Sequence, residues 1–310
     1  MYPITGDRGL WHGVPVTHLR SADGATAVIA DHGAQLLSWC PAGVPESLFL
    51  STASKFGPHD AIRGGVPIIF PQFGERGSGQ RHGFARISTW TPMPAQKDCN
   101  DSNDGNDGAA VMQLSLAGKI VAAPMATTAA GELEYALMVE FRLGGTTLEI
   151  SLTVENRSST TFNCHAALHS YLAVDDLASA RIDGLQGVAY LDQVAGAKES
   201  GSHSANDRTN PLAIIGEVDR IYGNVTAPVH LHTGSRVVRI SQEGFRDIVV
   251  WNPGPGKGAQ LADLQEQGHA EFVCIEAASV LTPLILRPGA SWVGRQRFQI
   301  SKSGTAAATT

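Results

Sequence analysis

Leu148-Glu149-Ile150-Ser151-Leu152-Thr153-Val154 places an apolar residue at every second position and a polar one between. That is the period of a strand with one buried face and one wet face. Outward from it, the chain repeats the theme in short runs rich in Val, Ile and Thr, bounded by Gly, Asp, Asn or Pro: Ala25 to Ala30, Gln35 to Cys40, Tyr135 to Leu143, Thr147 to Asn156 and Thr161 to Leu168. Further runs follow at Arg236 to Gln242, Asp247 to Trp251, Phe272 to Glu276 and Trp292 to Ile300. Helical periodicity is scarce: Ala259 to Gln267 has room for one or two turns, and Gly254-Pro255-Gly256-Lys257-Gly258 reads as a turn. Many strands separated by turn signals predict an all-β fold, a large two-sheet antiparallel β-sandwich. No linker divides the chain, so residues 1–300 are expected to form a single domain, with residues 301–310 a frayed tail.

Composition narrows the function classes. The chain has 310 residues, of which 43% are hydrophobic, enough for a sizeable core, and 17% are charged. Lys and Arg total 23 against 29 Asp and Glu, a net charge of −6, which argues against nucleic acid or an anionic membrane as partner. No basic region followed by an apolar stretch opens the sequence, and no run of about 18 apolar residues occurs. Cys40, Cys99, Cys164 and Cys274 are scattered without a Cys-x-x-Cys pair. Reduced thiols in the cytoplasm are therefore the expectation, and a monomer is expected because no long apolar seam advertises an interface.

Most chemical signatures are absent. There is no phosphate-binding loop opening a helix, no Gly-x-Ser-x-Gly and no His-Glu-x-x-His. His165 and His169 share a strand face, as do His230 and His232, but neither pair has Cys or Glu at zinc spacing, so no metal is expected. The polar tract from Asp98 to Gly108 lacks the closing glutamate of a calcium loop and reads as solvated surface. What remains are irregular segments in which polar groups stand among Gly and Pro. They are Arg63-Gly64-Gly65-Val66-Pro67, Phe70-Pro71-Gln72-Phe73-Gly74, Arg81-His82-Gly83-Phe84-Ala85-Arg86, Leu168-His169-Ser170-Tyr171, Val218-Asp219-Arg220-Ile221-Tyr222, Val250-Trp251-Asn252-Pro253 and Cys274-Ile275-Glu276.

Taken in order, these segments resemble the hexose-6-phosphate mutarotases, or glucose-6-phosphate 1-epimerases, of the aldose 1-epimerase superfamily. The resemblance runs from about Thr26 to Ile300 and implies a galactose mutarotase-like sandwich that works without a cofactor. It implies that His169 is the general acid and Glu276 the general base, and that His82 and Asp219 bind the sugar; Gln72, in one of the same segments, is a further candidate for a hydrogen bond to substrate. It further implies that Arg63 and Arg86 face the phosphate. From their places in the same segments, Tyr171 and Asn252 are candidate supporting residues around the site, and Phe70, Phe73, Phe84 or Trp251 are candidates to line the apolar side of the sugar. The sequence departs from the pattern at Arg81, where a neutral residue is expected, and at Ala277-Ala278, where a Pro or Gly turn is expected.

Those residue types suit anomer exchange. Opening a hemiacetal requires one group to take the C1 hydroxyl proton while another protonates the ring oxygen; an imidazole and a carboxylate can do both and then exchange roles. Planar guanidinium forks suit a phosphate dianion. Structural duties compete with each assignment: Asp219 as a turn cap, Glu276 as partner to Arg287, Arg63 and Arg86 as partners to Glu75. The neighbouring alternatives are a mutarotase of unphosphorylated aldoses and a carbohydrate-binding module without catalysis.

Overall fold

The computed structural model describes residues 6–93, 108–121, 132–194, 204–206 and 211–303. Most of the tract from Asp98 to Gly108 and the tail beyond Ser303 lie outside the described residues. Nearly every element is a strand, and they assemble into a four-stranded, an eight-stranded and a nine-stranded sheet. The alternating run is the strand Thr147–Asn156, whose inward positions are all buried. It lies in the nine-stranded sheet between Glu132–Gly144 and Ser291–Lys302. That last strand also alternates, with Gly294, Gln296, Phe298 and Ile300 inward and Arg295, Arg297 and Gln299 outward. It runs through Lys302, past the expected start of the tail at Ser301.

The eight-stranded sheet carries the candidate site residues His169, Asp219 and Glu276. Its central strand, Phe272–Leu286, is flanked by Asp247–Asn252 on one side and by Phe162–Leu168 and Tyr171–Ala173 on the other. The inner face, with Ile275, Ala277, Val250 and Leu168, packs into one core with Ile150, Leu152, Phe298 and Ile300 of the nine-stranded sheet. Two stacked sheets joined through alternating inward residues make the expected sandwich. The outer face carries a second apolar patch of Ile69, Phe73, Ala167, Ile221, Val249, Ala278 and Val280. The loops from Arg63 to Arg86 fold over this outer face.

One local expectation changes. The single described α-helix is Gly254–Gly258, not a stretch within Ala259 to Gln267. Pro255 sits in its first turn, where a missing N–H costs nothing, and Asn252 Oδ1 accepts from Gly254 N–H at 2.8 Å. Residues 259–267 instead form successive tight turns ending in a short 3-10 turn, Gly268–Glu271. No helix of the described residues is long and apolar enough to cross a membrane.

Candidate active site

Strand register brings His169 to Glu276. Leu168 pairs with Ala277 and Tyr171 with Cys274 in the same antiparallel register, so His169 falls opposite Glu276 although 107 residues apart in sequence. Both side chains leave the sheet on its outer face and both are buried, His169 7% and Glu276 1% exposed. His169 Nδ1 stands 3.2 Å from Glu276 Oε1, yet the two are not aligned for a hydrogen bond, and Nδ1 and Oε2 have no protein partner. A buried polar atom without a partner costs about 1–3 kcal/mol. Such atoms are open to a partner that the protein itself does not supply, a water or a ligand.

Electrostatics sharpen the pair. Burial drives the His169 imidazole well below its ordinary pKa, with His82, Arg63 and Arg86 adding to the effect. Burial drives the Glu276 carboxyl well above its ordinary value, with Asp219 adding. A protonated imidazole with a lowered pKa is a stronger acid, and a carboxylate with a raised pKa is a stronger base. The same burial therefore favours moving a proton away from His169 and onto Glu276.

Aromatic rings fix the walls. Tyr171 stacks on His169 with ring centroids 4.8 Å apart and planes 9° apart, and Trp251 meets the imidazole edge-on at 5.8 Å. Asp219, Trp251, Cys274 and Tyr171 form one row across the sheet, and Ile221, Val249, Glu276 and His169 occupy the next row on the same face. Asp219 is oriented by Gln193, whose Nε2 donates to Oδ1 at 2.6 Å, and burial raises its pKa. Next to it, Lys257 is paired with Glu217 at 2.6 Å.

The loops bring the opposite charge. Gly65 and Gly83 adopt positive φ, and a Cβ on either would lie about 2 Å from a backbone oxygen, Leu36 O or Phe70 O. Only glycine allows these close approaches, which seat the arginine- and histidine-bearing segments against the sheet. His82 Nδ1 accepts from Gly74 N–H at 3.2 Å, so in the neutral ring the proton sits on Nε2. Its ring centroid is 5.6 Å from that of His169. Burial lowers its pKa, as do Arg86, Arg81 and Arg63.

Arg86 lies in a 3-10 turn, Ala85–Ile87, anchored by Trp90 Nε1–H donating to Ala85 O at 2.9 Å. Its Nη2 donates to Arg81 O, its buried Nε has no partner, and burial together with Arg63 and Arg81 pushes its pKa down to about 10. Among the described residues no carboxylate hydrogen-bonds this cation. Arg63 differs: Asp263 holds it through Nε and Nη2 at 2.9–3.2 Å, Tyr171 Oη accepts from Nη1 at 3.1 Å, and the guanidinium lies 5.9 Å from the Trp251 ring centre.

The remaining expected residues have structural placements. The Gln72 amide bonds Gly74 O, Gly79 O and Gly79 N–H, all within its own loop. Asn252 Oδ1 accepts from Gly254 N–H at the start of the helix, and its amide donates to His269 O and Phe272 O. His165 accepts from Phe73 N–H at 3.3 Å, and burial lowers its pKa to about 4; it supports the loop. His232 pairs with Asp183 at 2.8 Å. Asp263, Gln193 and Glu217 escaped the sequence reading because their only signal is spatial. Among the described residues, one group has metal-ligand spacing: His169, Cys274 and Glu276, with donor atoms within 4.8 Å of one another. Burial holds the Cys274 thiol in its protonated form, with Glu276 adding, and Arg63 and Arg86 act on the same site, so this donor set is ill suited to a cation.

Fold and site together define a class, a large β-sandwich with a buried imidazole beside a buried carboxylate on the outer face of one sheet. Comparison with known proteins makes it specific. Residues 15–299 match the family model for aldose 1-epimerase, and the chain belongs to that family. Curated relatives include a protein of Cenchrus ciliaris, 31% identical over 89% of this chain and 82% of its own, and one of Salmonella typhimurium, 32% identical over 87% and 88%. Each bears the name "putative glucose-6-phosphate 1-epimerase". Among solved structures, a "putative mutarotase" from Salmonella typhimurium superposes with TM-score 0.77 at 27% identity over 97% of both chains. A galactose mutarotase-like protein from Clostridium acetobutylicum shares the fold, with TM-score 0.71 at 14% identity, over 96% of this chain and 99% of its own.

Proposed function

We propose that this protein interconverts the α and β anomers of a hexose 6-phosphate, glucose 6-phosphate first among them, without a cofactor. The observation that carries the reading is the buried pair, His169 Nδ1 3.2 Å from Glu276 Oε1, with unpartnered polar atoms on both residues. The two oxygens of a hemiacetal share one carbon, so their acid and base must be neighbours. Glu276 takes the proton of the C1 hydroxyl as His169 protonates the ring oxygen; the bond from C1 to that oxygen breaks and an open-chain aldehyde forms. Rotation about C1–C2 presents the other face of the carbonyl. The two groups then reverse roles: the carboxyl returns its proton to the carbonyl oxygen, and the imidazole takes the proton of the attacking hydroxyl as the ring closes.

Substrate register comes from the charged ends. Asp219 accepts from sugar hydroxyls, and His82 donates from Nε2. Arg86 binds the phosphate, supported by its unpartnered Nε and its lack of a carboxylate. Arg63 keeps its place through Asp263 and lends its charge to the same end. Gln72, with its amide committed to Gly74 and Gly79, acts by holding the loop that carries Arg81 and His82. The names of the relatives agree with this substrate class. The protein is read as a cytoplasmic monomer; Cys40, Cys164 and Cys274 are free thiols, in keeping with a reducing compartment.

The test is a magnetisation-exchange NMR assay with glucose, mannose and galactose 6-phosphates beside the free sugars. Faster exchange for a 6-phosphate than for its free sugar supports the reading. Equal rates on both forms would remove the phosphate specificity, and binding without exchange would make the protein a carbohydrate-binding module.

A further inference from the structure

Behind the site, on the opposite face of the sheet, a buried glutamine reaches across the sandwich to the two residues adjoining the proposed acid and base. Gln296 stands on the strand Ser291–Lys302 of the nine-stranded sheet, at an inward position between Gly294 and Phe298. It is 0% exposed. An amide there must find partners or cost about 1–3 kcal/mol. It finds them in the other sheet: Gln296 Oε1 accepts from Ser170 Oγ–H at 2.7 Å, and Gln296 Nε2 donates to Ile275 O at 3.0 Å. Ser170 follows His169 and Ile275 precedes Glu276, and Ile275 N–H donates to Ser170 O at 3.2 Å. Three bonds thus close a triangle over the gap where the pairing between the two strands is interrupted, between Leu168 and Tyr171.

We infer that Gln296, with Ser170, is a positioning residue that sets the spacing of the His169–Glu276 pair from behind. Side chains on a strand alternate faces, so Ser170 and Ile275 point inward when His169 and Glu276 point outward. Locking the inward neighbours limits how the outward pair can rotate or separate. The gap needs such a lock because neither His169 nor Glu276 aligns a hydrogen bond to the other. An apolar residue would fill the same volume and pack with Ile150 and Phe298, but it would take away the donor to the Ile275 carbonyl, leave the Ser170 hydroxyl only its longer contact to Leu168 O at 3.4 Å, and free the spacing.

The inference rests on His169 and Glu276 being the acid and base, so the test has one readout through turnover and one without it. In Gln296→Met, kcat for anomer exchange is expected to fall about 10- to 100-fold, the scale of a misplacement of about 1 Å, while KM for glucose 6-phosphate stays within about threefold. Ser170→Ala is expected to fall in the same direction, and the double variant to lose less than the product of the two. Gln296→Glu, kept neutral by burial, retains an acceptor for Ser170 and an O–H donor for Ile275, and recovers most of the activity. The second readout is the NMR titration of the His169 ring, which is expected to move in Gln296→Met whether or not the protein turns over a sugar. An inactive wild type would overturn the proposed function alone; the ring titration then decides the positioning role. If Gln296→Met lowers only the melting temperature, with kcat per folded molecule within twofold and the titration unmoved, the inference is overturned.

Discussion

Replacing Arg86 by Met separates a substrate-binding cation from a structural one. Met matches much of the side-chain length and removes the charge. The Arg86 guanidinium gives one hydrogen bond to Arg81 O, leaves a buried Nε without a partner, and is pushed down to a pKa of about 10 by burial with Arg63 and Arg81 adding. Its folded-state pKa lies below the unfolded value, so at pH 7 the charged form is disfavoured by folding and removing it relieves that cost. The phosphate of the substrate is what would repay it. A hydrogen bond to a charged group contributes about 1.5–3 kcal/mol, and about 1.4 kcal/mol is tenfold. Arg86→Met should therefore lower kcat/KM for glucose 6-phosphate about 10- to 150-fold, leave free glucose within about threefold, and leave the melting temperature no lower than wild type. The assay is exchange NMR on both sugars with calorimetry alongside. An equal loss on both sugars, or a clear fall in melting temperature, would refute the argument and make Arg86 scaffolding.

Three further outcomes follow from the same geometry. In the proposed mechanism the productive state carries one proton on the His169–Glu276 pair, so kcat should fall on the acid side below the ordinary histidine range and on the basic side above the ordinary carboxylate range; an acid limb at about 6.5 would contradict the lowered imidazole. Glu276→Gln should raise the melting temperature by roughly 1–3 °C at pH 8 and by less at pH 4, checked by calorimetry, because a carboxyl with a raised folded pKa supports folding below its unfolded value and loses that support as pH rises. Gly83→Ala should cost at least about 1–2 kcal/mol in denaturant titrations and weaken substrate binding, since its Cβ would meet Phe70 O at 2.1 Å at positive φ and displace His82.

Legibility in the sequence followed the range of the interaction. Thr147–Asn156 was readable to its ends because alternation is a local property. Phe272–Leu286 was readable only to Glu276, because Ala277-Ala278-Ser279 has no strand-forming bulk; those small residues continue the strand because Asp247–Asn252 and Phe162–Leu168 hold it on both sides. Gly254–Gly258 is a helix through Pro255 in its first turn and the bond from Gly254 N–H to Asn252 Oδ1. At the site, His169, Glu276, His82, Asp219 and Arg86 were named from their segments, but what each one touches was not. Asp263 is 200 residues from Arg63, and Gln193 is 26 from Asp219; no spacing rule connects them. Nothing local distinguishes Gln296 from the other polar residues of its alternating strand; its inward register and its two partners in the other sheet are properties of the fold.

The central claim is that His169 and Glu276 exchange the protons of ring opening. The most direct measurement is the rate of anomer exchange on glucose 6-phosphate by NMR for His169→Asn and Glu276→Gln, with binding followed in parallel by calorimetry. Each variant is predicted to bind the sugar phosphate and lose about 10²–10⁴-fold in kcat. Exchange within a few-fold of wild type in either variant, with binding intact, would contradict it.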